Sequence, residues 1–198
     1  MKRVSVYGVV ACIVLGAGAA WAQVDTGEVG VAWDPEGRAC NLNIEPGQEG
    51  TLYVLAYPRG IFAGGITASE FRVDDFPADW VIVSVTPNPE ANLTLGNPLG
   101  PGCNIAFPSC QTGTSGVVVL YTIRFVALSI VTQGVLSVGG HTTPSIPLLP
   151  CPRLILCDGP ADYFGCSQGG SATINYYERY CITAVEQKSW SAVRTLYR

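Results

Sequence analysis

The chain of 198 residues has little of what most enzymatic and nucleic-acid chemistry requires. It carries one histidine, His141, in "GGHTTP". Serine and cysteine nucleophiles commonly draw on a histidine base, so any such triad is forced onto His141, and no GxSxG accompanies it. A base must also be oriented by a third group, and none is identifiable, so the plainer reading is a solvated loop histidine. No CxxC occurs, which removes the thioredoxin-type redox motif. Zinc would need closely spaced pairs, and the spacings Cys103–Cys110 and Cys151–Cys157 are too wide for that; no metal and no cofactor are expected. Lysine and arginine form no cluster, which argues against nucleic acid and against an anionic membrane surface. Helical periodicity is almost absent, and beyond the N-terminus no apolar run is long and charge-free enough to span a bilayer.

What is present begins with "MKRVSVYGVVACIVLGAGAAWAQVD": a basic start, an apolar run from Val4 to Ala20, and small residues at Ala20 and Ala22 around Trp21. That layout predicts a secretory signal peptide over 1–22 rather than a retained anchor. "VVAC", ending at Cys12, loosely matches a lipoprotein box but has too little apolar sequence ahead of it. Cleavage after Ala22 leaves 176 residues with nine basic and fifteen acidic side chains, net charge −6. This is enough for one domain, over 23–175, followed by a tail over 176–198. The protein is therefore expected outside the cytoplasm: extracellular, periplasmic or at the cell surface.

Seven cysteines remain after the signal: Cys40, Cys103, Cys110, Cys151, Cys157, Cys166 and Cys181. In an oxidising compartment they read as structural disulfides. Sequence proximity favours Cys103–Cys110 and, more weakly, Cys157–Cys166; a Cys103–Cys110 loop would contribute about 2.5 kcal/mol. Seven is odd, so at least one thiol is left over, and Cys181, just ahead of the tail, is the expected odd one or a pin for that tail.

The apolar residues alternate with period two. In "GVVVLYTIRFVAL" the residues Val119, Tyr121, Ile123 and Phe125 are expected on one buried face, with Thr122 and Arg124 on the other. "TLYVLAY" (51–57) and "WVIVSVT" (80–86) end at Pro58 and Pro87, and "ITASEFRVDD" (66–75) can bury Phe71 and Val73 while showing Glu70 and Arg72 to water. Further strands are expected at 29–33, 91–95, 104–107, 134–138, 153–156 and 171–175, with a proline-rich crossing loop over 139–160. Many short strands between Gly, Pro and Asn predict an all-β fold, an antiparallel immunoglobulin-like sandwich, with a closed barrel as the alternative. The ending "TAVEQKSWSAVRTLYR" predicts a short helix, with Ser189 as N-cap and Trp190, Val193 and Leu196 at helical spacing, too short to stand without a partner surface.

Two surface features carry candidate chemistry. "RVDDFPADW" holds Asp74, Asp75 and Asp79, a carboxylate cluster of the kind glycosidases and calcium sites use, although neighbours on a strand point to opposite faces and a polar exit from a strand explains it as well. "NYYERY" (175–180), with Tyr176, Tyr177, Arg179 and Tyr180, together with Trp190, is the candidate contact surface, since interfaces favour Tyr, Trp and Arg. "NLT" (92–94) is a glycosylation acceptor in a eukaryotic host.

The succession "TLYVLAYP", "GITASEFRVDDFPADWVIVSVTPNP", "LGPGCNIAFPSCQ", "CPRLILCDGP" and the ending "EQKSWSAVRTLYR" resembles uncharacterised secreted proteins of environmental bacteria. No activity comes with that likeness. More distantly, the strand pattern resembles cohesin and carbohydrate-binding sandwiches, which implies protein docking or glycan binding; the many cysteines depart from both. Together these features describe a non-catalytic, exported, disulfide-stapled binding or structural module whose partner is an extracellular protein or glycan. The alternatives are a secreted hydrolase built on Asp74, Asp75 or Asp79, and an extracellular assembly subunit linked through the odd cysteine.

Overall fold

The computed structural model describes residues 27–147, 150–157 and 164–176. The predicted signal segment, Cys12, Cys181, Trp190 and the predicted C-terminal helix lie outside these residues. The described chain is an antiparallel β-sandwich of thirteen strands and one 3-10 turn, Gly60–Phe62. In chain order the strands are β1 Glu28–Ala32, β2 Asn41–Leu42, β3 Glu49–Tyr57, β4 Ile66–Asp74, β5 Val81–Pro87, β6 Leu93–Asn97 and β7 Gly102–Gln111. They continue with β8 Val118–Val126, β9 Gly134–Gly139, β10 Arg153–Leu156, β11 Phe164–Cys166, β12 Gln168–Gly169 and β13 Ser171–Ile174.

One sheet runs β12-β1-β3-β8-β5; the other runs β11-β10-β4-β9-β13-β2, with β7 added to β4 and β6 to β7. Only the short pairs β1–β12 and β2–β13 are parallel. The first sheet stops at β12 and β5, so it is an open layer and not a closed barrel. β4 organises the second sheet: residues 66–70 pair with β7 on one edge and β10 on the other, and residues 72–74 pair with β9.

The core lies between the sheets, where the inward residues of β3 (Leu52, Val54, Ala56) face those of β4 (Ile66, Phe71, Val73) and β7 (Ile105, Phe107). An aromatic cluster packs at its side. Trp80 stacks on Phe125 at 4.7 Å, while Phe76 and Trp33 meet the same ring edge-on at 5.5 and 6.0 Å. Phe125 fits because its cross-strand partner is Gly50, where a Cβ would run into the ring.

The expected row Val119–Tyr121–Ile123–Phe125 holds for three of its four members. Val54 pairs with Tyr121 and Leu55 with Val119, so Leu120 is an extra residue, a β-bulge that shifts the phase of the alternation. Val118 and Leu120 are buried on one side of it and Tyr121, Ile123 and Phe125 on the other, while Val119 leaves the core row.

The disulfide pairing corrects the expectation. Cys103 and Cys110 both lie on β7, and seven steps of extended chain separate them by roughly 23 Å, far beyond disulfide reach. Cys110 bonds Cys157 instead, with Cα atoms 5.4 Å apart, so the expected Cys157–Cys166 bond is excluded as well. This bridge joins the ends of β7 and β10 across the start of β4. It can do so because Gly65, at φ 103°, presents no side chain to the Cys110 sulfur. Cys40 and Cys151 are also disulfide-bonded, and among the described residues Cys103 is the free thiol.

A bridge spanning 47 residues removes more chain entropy than the short loop expected from sequence would. Replacing both partners by serine (C110S/C157S) should therefore lower unfolding free energy by about 4 kcal/mol, read from urea titrations of the oxidised proteins. A loss below about 1 kcal/mol would mean that β7 and β10 are held by their other contacts alone.

Candidate functional site

Cross-strand register places two rows of side chains on the outer face of the second sheet. The first row is Leu93 (β6), Ala106 (β7), Ala68 (β4) and Ile155 (β10); the second is Leu95, Asn104, Glu70 and Arg153. Paired residues share a face, so these eight positions point away from the core. An outer face normally alternates to polar residues, yet the first row is entirely apolar, with Leu93 48% exposed, and the second adds Leu95 at 55%. Between the rows runs a groove of about 180 Å³, walled by Ala68, Leu93, Ala106 and Ile155 and closed at one end by Glu70, Arg153 and Ser145.

Glu70 was expected in water. It does point outward, as the alternation requires, but residues 140–147 pass over it, and it is 5% exposed while Arg153 is 2%. Ser145 donates to Glu70 Oε2 through its backbone N–H at 3.0 Å and through its hydroxyl. Arg153 Nη1 stands 3.4 Å from Glu70 Oε1, and its Nη2 donates to the Ile146 carbonyl at 2.6 Å. Oε1 itself accepts no hydrogen bond. The crossing segment is tied at its other end by Thr142, whose N–H and hydroxyl both donate to the Pro101 carbonyl.

The Asp cluster does not form one site. Asp74 is committed to Arg72 on its own strand and lies over Gly139. At Asp75, φ is 62°, so the chain has already left the strand, and Asp75 and Asp79 are exposed. Among the described residues, no group of three or more His, Cys, Asp or Glu could hold a metal ion. His141 stays in the crossing loop, its Nδ1 accepting the Thr143 N–H at 2.9 Å.

Of the candidate contact surface only Tyr176 is described: it is 36% exposed, and its N–H donates to Asn41 Oδ1. Tyr177, Arg179, Tyr180 and Trp190 lie outside the described residues. Trp33 and Trp80 are core, their indole N–H groups donating to the Thr173 and Ser129 carbonyls. The Asn92 acceptor is exposed, just before β6. No helix among the described residues is long and apolar enough to cross a membrane.

Directly behind the groove, on the core side of β7, lies Cys103, fully buried. Burial pushes its thiol up to about 12; a hydrogen bond with Tyr121 opposes this, and the charge of Glu70 adds to it. Burial likewise raises Tyr57 to about 12, helped by Glu28, and raises Tyr121. The assembly-subunit alternative needs an accessible leftover thiol; Cys103 is not one, and Cys181, the expected odd cysteine, lies outside the described residues.

No family model and no curated protein matches the chain. Solved structures similar to it are cohesin modules. The sixth cohesin of Acetivibrio cellulolyticus scaffoldin B, solved with a Cel5 dockerin mutant, is 12% identical, with a TM-score of 0.45 over 76% of this chain and 98% of that one. A cohesin module of a Clostridium perfringens family 33 glycoside hydrolase is 10% identical, with a TM-score of 0.49 over 77% and 98%. The non-cellulosomal cohesin of Archaeoglobus fulgidus is 12% identical, with a TM-score of 0.45 over 87% and 99%. The likeness spans most of the chain but is loose throughout.

Two outcomes follow from the buried thiol. In the native protein Cys103 should resist iodoacetamide at pH 8 and react within minutes once unfolded, as counted by intact mass. Between the ordinary thiol value of 9.0 and about 12 the unfolded chain has lost a proton that the folded chain keeps, so stability falls as pH rises through that window. The thermal midpoint should hold to about pH 8.5 and decline above pH 9, less steeply in Cys103→Ala; identical profiles would place the decline on Tyr57 and Tyr121 alone.

Proposed function

We propose that this chain is a non-catalytic binding module that docks a protein partner on the outer face of β10–β4–β7–β6. The observation that carries the reading is the apolar row Leu93–Ala106–Ala68–Ile155, set where the alternation of a half-exposed sheet calls for polar residues. Exposed aliphatic surface with a concave centre and a polar margin is the anatomy of a protein interface. A glycan platform stacks sugars on exposed rings, and the side chains of these two rows are aliphatic or polar, which favours protein over glycan.

Three of the other exposed apolar side chains fall together and fit the reading less well. Val81, Ile82 and Val83 lie on the edge strand β5, where the register shifts at Val83 and Pro87 ends the strand. A bulge and a terminal proline are devices that discourage pairing at an edge. Action outside the cytoplasm is supported by the Cys110–Cys157 bond, because disulfides persist in oxidising compartments. The signal-like N-terminus supports the same placement.

A photo-crosslinking residue at Leu93 of the full chain, exposed to the extracellular and envelope fractions of its own host, should capture a discrete polypeptide. The same probe at Arg124, on the outer face of the first sheet, should not, and Leu95→Asp should reduce capture at least tenfold. Equal capture from both sheets, or protection of Leu93 by polysaccharide alone, would overturn the reading.

A further inference from the structure

We infer that the groove beside Glu70 is a socket for a tyrosine side chain of the docked partner, which rests on the docking reading above. Three observations lead there. The groove, at about 180 Å³, is close to the roughly 150 Å³ of a protein cavity that accommodates benzene, so it fits one aromatic ring. Its walls are chiefly the aliphatic side chains Leu93, Ala68, Ala106 and Ile155, which match the faces of a ring, with Asn104 lining it on the side of the polar end.

The third observation is the polar end. Glu70 is 5% exposed, its Oε2 is taken by Ser145, and its Oε1 accepts no hydrogen bond. A carboxylate oxygen left without a donor in a buried position is costly, and an incoming O–H removes that cost. Glu70 lines the groove, and beyond its 3.4 Å contact with Arg153 Nη1 the Oε1 atom keeps acceptor capacity for an incoming donor.

The charge balance selects the kind of donor. Arg153 already neutralises Glu70, so the groove holds no net charge to draw an ammonium or guanidinium group. A neutral donor on an apolar body remains, and the phenol of tyrosine is that combination. Tyrosine is also among the side chains most often found anchoring protein interfaces.

Phenol is the probe. Titrated into the ¹⁵N-labelled full chain, it should shift the amides of Ala68, Ala106 and Ile155 saturably in the millimolar range. Fluorobenzene, of similar size but without the donor, should bind about tenfold more weakly. Ala106→Leu, which fills the groove without touching the ion pair, should abolish both sets of shifts while leaving the remaining spectrum in place. Equal affinity for phenol and fluorobenzene would reduce the groove to an apolar slot and overturn the tyrosine. Shifts elsewhere, or shifts indifferent to Ala106→Leu, would do the same. Crosslinking from Leu93 separates the two readings: capture without a phenol site leaves the docking face standing and removes the tyrosine, whereas a phenol site without capture removes both.

Discussion

Glu70 and Arg153 stand opposite each other on β4 and β10, on the side of the sheet that should face water, and a single crossing segment takes them out of it. Burying two charges costs several kcal/mol of hydration each, and their attraction offsets that only when further hydrogen bonds complete both groups. Ser145 and the Ile146 carbonyl come from the segment that does the burying, so its placement and the ion pair depend on each other. The same arrangement shapes the groove. The crossing residues cover Glu70 and Arg153 but leave the aliphatic row open, with the carboxylate at its closed end.

The sulfur atoms act on the same region. Cys110–Cys157 ties the far ends of β7 and β10, the strands that supply Ala106 and Ile155 to the groove walls. Gly65 is what lets that bridge pass over the start of β4. Cys103, near the opposite end of β7 on its core face, is buried and out of reach of that bond. One part of the second sheet is therefore held by backbone pairing, a covalent tie and a buried ion pair at once. Rigid support of this kind lowers the ordering cost when a partner docks.

Strand positions were legible in the sequence because a sheet with one wet face writes itself as alternation bounded by Gly and Pro. The expected segments at 51–57, 66–75, 80–86 and 134–138 overlap β3, β4, β5 and β9 closely. Only the two- and three-residue strands β2, β11 and β12 were missed, and these are too short to show a period. The Leu120 bulge was invisible for a related reason: in "VVVLYTIRF" either phase of the alternation is apolar, so nothing local marks the residue at which the phase shifts.

The site was less legible than the fold. Alternation put Glu70 on the outer face correctly, and its burial then came from residues some seventy positions away, which no local pattern encodes. Leu93 and Ala106 gave no signal because an aliphatic residue on a strand reads the same whether it faces core or solvent. The disulfide failed the same way, since closeness along the chain is a poor guide when the chain between two cysteines is an extended strand.

By composition and pattern alone the chain was determined to be an all-β, disulfide-bonded sandwich without clustered cationic charge, because those are properties of single residues and short periods. Which cysteines meet, which charges are buried and which face stays apolar were decided only when β4 brought β7 and β10 to its two edges, because each is a relation between segments far apart in sequence.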